Sequence, residues 1–296
     1  MSPFRCAVES LGRAEPVTGT ASTVRAFLLV ENDGPWGTDA LRDVRLPDEV
    51  KDGLRQRSAA AGVRTLLVRR HRGTGARPGV RVFAAYADPH EPWMESATLA
   101  APEVLLDLDL AALGRGESLG LVATDETFFG VCTHGRHDAC CAELGRPTVA
   151  ALTASHPEQT WEVSHMGGDR FAATLLVLPE GLSYGRVTPA DAPALAERHL
   201  TGHLDLDLLR GRSGLPFAVQ VAEVAARRIA DATGLRDLRV VSVTRDGALS
   251  VVRLDVGGTS YDVRVRRTTG QAHRLTCRAE RDSDVPVHEV VDVRPA

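Results

Sequence analysis

The chain reads as an α/β protein of three units, and three observations predict this. Apolar runs of strand length recur along the sequence, helical patterns separate some of them, and turn-forming residues bound most of them. At 296 residues the chain is about twice a typical domain length, so more than one core is expected. Hydrophobic residues make up 43% and charged residues 25%, values that exclude a disordered or collagenous chain.

In the first unit, 1–118, ASTVRAFLLVEN (21–32) and GVRTLLVRRH (62–71) are expected strands. Between them Leu46-Pro47 leads into a helical pattern carried by Val50, Leu54 and Ala59 to Ala61. VRVFAAYA and ESATLA add two strands, giving an α/β unit of the β-α-β-β-β kind. DLDLAALG and the Gly114-Arg-Gly-Glu-Ser linker close it.

The second unit, 119–202, starts from TFFGVC (127–132), an apolar strand ending on a cysteine. A polar loop over 133–145 follows. Pro147 then heads the helix RPTVAALTAS, in the first turn where proline is tolerated. TWEVSH (160–165) alternates as a strand does and ends on a histidine. ATLLVLP and LSYGRV form a hairpin around Pro179-Glu180-Gly181, and Thr188-Pro189-Ala190-Asp191 opens a last helix. This order, β-α-β-β-β-α, is that of a thioredoxin-like layer.

The third unit, 203–296, is an α+β module. An amphipathic helix (216–234) precedes strands at 238–244, 249–255, 259–267 and 273–278, with turns at Gly247 and Gly257-Gly258. No internal repeat is visible in the sequence.

A formal charge of -4 and a pI near 6.2 give no general attraction to nucleic acid or anionic lipid. No apolar window is long enough to span a membrane, and MSPFRCAVESLGRAEP carries charges where a signal peptide needs apolar residues. The expectation is a cytoplasmic protein with no nucleic-acid or membrane partner. The five cysteines are an odd number and three lie within ten residues, which favours ligation or redox chemistry over a disulfide framework.

Those three stand in CTHGRHDACC (132–141), and HMGGDR (165–170) follows after a gap. Both stretches come after the C-terminal ends of strands. If the two strands are parallel neighbours, the loops share one edge of the sheet. Thiolate and imidazole suit soft or borderline metals, and Cys132, Cys141 and His165 supply both. Structural zinc sites start from a tight Cys-x2-4-Cys knuckle, whereas eight residues separate Cys132 from Cys141, a spacing suited to a wider two-iron cluster. Burial as small hydrophobes is the alternative. The surrounding His134, Arg136, His137 and Asp138 are not core composition. Gly167 and Gly168 would let backbone N–H groups approach a cofactor, or would simply form a turn. His134 and His137 read as supporting groups rather than ligands.

CTHGRHDACC followed by WEVSHMGGDRFAATLLVLPEGLSYGRV resembles the sucrase/ferredoxin-like family, whose members carry a thioredoxin-like 2Fe-2S ferredoxin domain. The resemblance is strong from about Phe128 to Pro189 and weaker in EPVTGTASTVRAFLLVENDGPWG. It implies a 2Fe-2S cluster held by Cys132 and Cys141 and by two histidines of an H-x-G-G-H motif, the first falling on His165. Asp169 stands where the second histidine would be. The fourth ligand is therefore open between Asp169 and Cys140, with Cys277 or Cys6 as ligands from another unit.

The leading expectation is an electron carrier with a 2Fe-2S cluster, exchanging electrons with a redox partner such as a flavin- or NAD(P)H-dependent reductase. The alternatives are a soft-metal-binding protein or thiol oxidoreductase in which Cys140 and Cys141 act as a vicinal dithiol, and a non-redox scaffold. No pair of carboxylates argues for glycoside hydrolysis.

Overall fold

The computed structural model describes residues 3–72 and 78–296. A short helix α1 (Cys6–Gly12) precedes β1 (Ala26–Glu31), α2 (Ala40–Asp43), α3 (Asp48–Ala61), β2 (Val63–Arg69), β3 (Val80–Tyr86), β4 (Trp93–Leu99) and α4 (Leu110–Gly114). A second stretch runs through β5 (Val122–Ala123), β6 (Phe128–Cys132), α5 (Ala139–Ser155), β7 (Thr160–Val163), β8 (Leu175–Leu178), β9 (Leu182–Tyr184), α6 (Asp191–Leu200) and β10 (Leu209–Arg212). The remainder is α7 (Phe217–Ala230), β11 (Leu238–Asp246), β12 (Leu249–Val256), β13 (Thr259–His273) and β14 (Ser283–Pro295).

The first ten strands form one sheet in the order β10-β9-β8-β6-β7-β2-β1-β3-β4-β5. On one side β6 lies parallel to β7 and antiparallel to β8, and β8 antiparallel to β9, the thioredoxin-like order expected from the sequence. On the other side β1 lies parallel to β2 and antiparallel to β3, and β3 antiparallel to β4. The two βαβββ halves therefore repeat each other's topology although their sequences show no repeat. An antiparallel β2–β7 pair, Val68↔Val163 and Arg69↔Glu162, joins them, so the sheet is continuous across residue 118.

The sheet curls. Phe83 on β3 and Phe128 on β6 stand four places apart in the strand order, yet their ring centroids are 5.6 Å apart, with Trp161 packed against both. That inner face buries Phe27, Leu29, Leu66, Val68 and Phe83 from one half with Phe128, Cys132, Cys141 and Trp161 from the other. The opposite face packs Leu28 and Val30 under α3, and Phe129 and Val131 under α5 and α6. Alternating positions of β1 and β6 thus serve two cores, which is why both strands read as continuous apolar runs.

Beyond the short elements α1, α2 and β5, which the sequence analysis did not anticipate, three elements depart from the sequence expectation. The helix expected from Pro147 begins at Ala139, because Asp138 caps it by accepting the N–H of Cys140 at 2.9 Å, and Pro147 lies inside it. β10 was not expected, since LRGR has no apolar alternation. Its arginines are buried instead, Arg212 pairing with Glu223, which Arg227 also contacts at 3.0 Å. The last strand is β14, not 273–278. Pro286 and the acidic residues near it obscured a strand that occupies the edge of the second sheet, where proline is tolerated. In that sheet β11-β12-β13-β14 pack against α7, and the β13–β14 connection carries Cys277 back toward α5.

Among the described residues, no helix is long and apolar enough to cross a membrane.

Candidate metal centre

Cys132 is the last residue of β6, fixed where its N–H donates to the Thr174 carbonyl at 3.1 Å. The start of α5 passes close by. A Cβ at Gly145 would lie 2.0 Å from the Cys132 carbonyl oxygen, so only glycine permits that approach. Consecutive helical residues diverge by about 100° around the axis, so the side chains of Cys140 and Cys141 leave α5 in different directions. Cys141 joins Cys132 on the inner face, both 1% exposed.

His165 follows β7, the parallel neighbour of β6. Its N–H donates to His134 Nδ1 at 3.2 Å, while His134 Nε2 lies 2.9 Å from the Gly37 carbonyl. His134 therefore uses both ring nitrogens to tie the loop after β1 to the loop after β7. The next turn is held from outside the middle unit. Arg64 and Ser22 donate to the Met166 carbonyl at 3.0 and 3.3 Å, and Arg210 donates to the Gly167 carbonyl at 3.1 Å. Gly167 and Gly168 have φ of 92° and 88°, and a Cβ on Gly168 would meet the Arg210 guanidinium at 2.4 Å. Both glycines thus have a conformational reason to be there.

These loops bring the ligand atoms of Cys132, Cys141 and His165 within 4.8 Å of one another. His137, His165 and Asp169 form a second such triad, sharing His165. Asp169 Oδ1 lies 2.9 Å from His165 Nδ1 and 3.7 Å from Cys141 Sγ, and the His137 and His165 rings stack at 3.7 Å. Two thiols, two imidazoles and a carboxylate therefore share one locality. His165 Nδ1 is buried and, despite the nearby carboxylate, outside hydrogen-bonding geometry, so it has no aligned partner within the protein. A soft donor set of two thiols and an imidazole whose Nδ1 is held only by the Asp169 ion pair fits a metal or an iron-sulfur group.

The charges interlock. A hydrogen bond from Cys141 and the proximity of His165 pull the Cys132 thiol well below its usual range against the effect of burial, and the same hydrogen bond pushes Cys141 up. Burial disfavours a charged His165, but its contacts with Asp169 and Cys132 outweigh this and raise it to about 9. The Asp169 carboxyl is held low despite its burial, chiefly by His165. The contacts thus favour the charged forms of Cys132, Asp169 and His165 together, and ligation would displace the protons on Cys141 and His165.

Cys140 is not brought to this centre. It lies with Cys6, Cys277 and Asp138 in a separate group. Sequence reasoning gave His137 only a supporting place, although it faces His165 and Asp169. It also treated Cys6 and Cys277 as reserves for the first centre, the odd thiol count being the only signal of a second group.

No curated protein matches the chain. Among solved structures, a thioredoxin-like [2Fe-2S] ferredoxin from Aquifex aeolicus is similar at 21% identity, covering 31% of this chain and 97% of that one, with a TM-score of 0.27. The family profile described as Sucrase/ferredoxin-like matches residues 17–211, well over half of the chain. Its span takes in both βαβββ halves and the strand β10 that completes their sheet, and on that match the protein belongs to the sucrase/ferredoxin-like family.

Proposed function

We propose that the protein is an electron carrier whose middle unit holds a 2Fe-2S cluster through Cys132, Cys141 and His165. The observation that carries this reading is the convergence of those three ligand atoms from loops after two parallel strands. When bound, such a cluster supplies one-electron transfer, at a potential that imidazole ligation raises. Cys132 and Cys141 hold the buried side and exclude water. The His165 and His137 side chains, 24% and 35% exposed, form the edge that a redox partner would meet. That partner is a flavin- or NAD(P)H-dependent reductase.

Two donors stand in reach for the fourth position. Asp169 is nearest to His165, and His137 offers the softer ligand. Cys140 faces another group, which removes support both for its ligation here and for a Cys140–Cys141 dithiol.

A second reading has one observation in its favour: ligand atoms within 4.8 Å of one another also suit a single soft ion. Iron and acid-labile sulfide analysis of anaerobically purified protein separates the two. Equal iron and sulfide with visible charge-transfer bands is the expected result, and metal without sulfide overturns the cluster. If His137 is the fourth ligand, His137→Ala loses the bands while Asp169→Ala largely retains them; the reverse outcome assigns Asp169.

A further inference from the structure

Three cysteines remain near the first centre without a role in it, and all three are far apart in sequence. Cys6 opens α1, Cys140 lies in the first turn of α5, and Cys277 lies in the β13–β14 connection. Their sulfurs nevertheless meet. Cys140 Sγ is 3.4 Å from Cys277 Sγ, and Cys277 Sγ is 3.6 Å from Cys6 Sγ. All three are free thiols. Asp138 joins them, its Oδ1 and Oδ2 lying 3.6 and 3.7 Å from Cys6 Sγ.

We propose that Cys6, Cys140, Cys277 and Asp138 form a second metal site, a closed tetrahedral S3O site for a single zinc ion. Zinc–sulfur bonds of about 2.3 Å and zinc–oxygen bonds of about 2.0–2.2 Å place tetrahedral sulfurs about 3.8 Å apart, and sulfur and oxygen about 3.6 Å apart. The observed separations lie within a few tenths of an ångström of those values. Four ligand atoms within 4.8 Å of one another are the complete first shell of a single tetrahedral ion.

Asp138 is fully buried and held from two sides. Its carboxylate accepts the N–H of Cys140 at 2.9 Å and that of Cys277 at 2.6 Å. One residue thus caps α5 and sets the backbone of two of the thiols, and each carboxylate oxygen keeps a lone pair for the metal. The surroundings are dry on the inner side, where Ala7 and Ala172 pack against Cys6 and Cys140. The rim is tied by Arg5 to Glu143, by Arg278 to the Arg136 carbonyl at 3.1 Å, and by Arg274 stacked on Phe4 at 3.6 Å.

The ligands come from the N-terminal helix, the middle unit and the C-terminal module. A zinc ion here would staple all three together, and its binding energy would add directly to the stability of that docking. The family match ends at residue 211, so one ligand lies before the matched region and one after it. Two of the four ligands are therefore supplied by this chain's flanking segments, and the site shares no ligand with the first centre.

The test uses the full-length chain. In the Cys132→Ser Cys141→Ser variant, which removes the first centre, the purified protein should retain one zinc ion per chain. Adding Cys277→Ser, the least buried of the three, should abolish it, as should adding Cys6→Ser. X-ray absorption at the zinc edge of the first variant should give three sulfur neighbours and one lighter atom. Should the triple variants misfold, the wild-type protein still decides, because zinc should bind alongside a full complement of iron. Absence of zinc from both proteins after exposure to zinc ions overturns the site. So does zinc unchanged by Cys277→Ser, or a Cys140–Cys277 disulfide in freshly isolated protein.

Discussion

The two halves of the large sheet share a topology and differ in what their strand ends carry. In the N-terminal half β1 leads into a loop filled by Trp36, whose indole donates to the Asn32 carbonyl at 3.3 Å and is covered by the Arg69 guanidinium. β2 ends at Arg69 and is followed by Arg70 and His71, all three directed to the other half: Arg69 and His71 bind Glu162, and Arg70 donates to the carbonyls of Pro157, Glu158 and Thr160. In the middle half the corresponding positions carry Cys132 and the loop of His165 to Asp169. One half spends its strand ends on the seam, the other on a donor cluster. The arrangement teaches that the βαβββ layer supplies the positions, and that the residues at its strand ends, its helix start and the loops between them decide what chemistry they carry.

The largest effect that would break this comparison is metal loss. Cys132→Ser should abolish metal at the first centre, because a hydroxyl is a poor substitute for thiolate, whereas Glu31→Gln at the end of β1 should leave iron and sulfide unchanged. Equal loss in both variants would mean that the N-terminal half takes part in binding.

Stability should show the opposite asymmetry. Leu54 on α3 is fully buried in the N-terminal core, and Leu54→Ala should lower the unfolding free energy by about 2–5 kcal/mol. Metal content per folded chain should not change. Denaturant melts paired with metal analysis check this, and a parallel fall in metal would show that the halves do not separate scaffold from site.

The smallest effect sharpens the seam. Burial pushes the Glu162 carboxyl up, but hydrogen bonds from His71, Arg69 and Thr133 more than reverse this and hold it below its ordinary 4.5. Its contribution is therefore present above pH 4.5 and is lost as pH falls through the depressed folded value. Glu162→Gln should cost about 2 kcal/mol at pH 7, the size of a hydrogen bond to a charged group, and the two proteins should converge in stability as the medium is acidified. A difference that persisted at acid pH would assign the loss to packing.

Much of this was legible in the chain. Apolar runs with glycine and proline punctuation located β1 to β4 and β6 to β9, because strand burial on two faces imposes a local pattern. The first centre was legible for the same reason: Cys132 and His165 sit at ends of strands whose parallel pairing brings the loops after them together. β10 and β14 were hidden, one because its buried arginines are neutralised by distant Glu223, the other by Pro286 on an edge.

The sequence by itself determined the order β1 to β4 and β6 to β9 with α3 and α5 to α7, and pointed to Cys132, Cys141 and His165 by their residue types at strand ends and in the loop between, since burial imposes a local pattern on each element. Only the tertiary structure decided that Cys140 and Cys141 part company, that β2 pairs with β7, and that Cys6 and Cys277 meet beside Asp138. The helical register set by the Asp138 cap separates the adjacent thiols by about 100°. The pairing and the meeting depend on contacts between residues far apart in the chain, and a local pattern carries no record of which distant partner buries it.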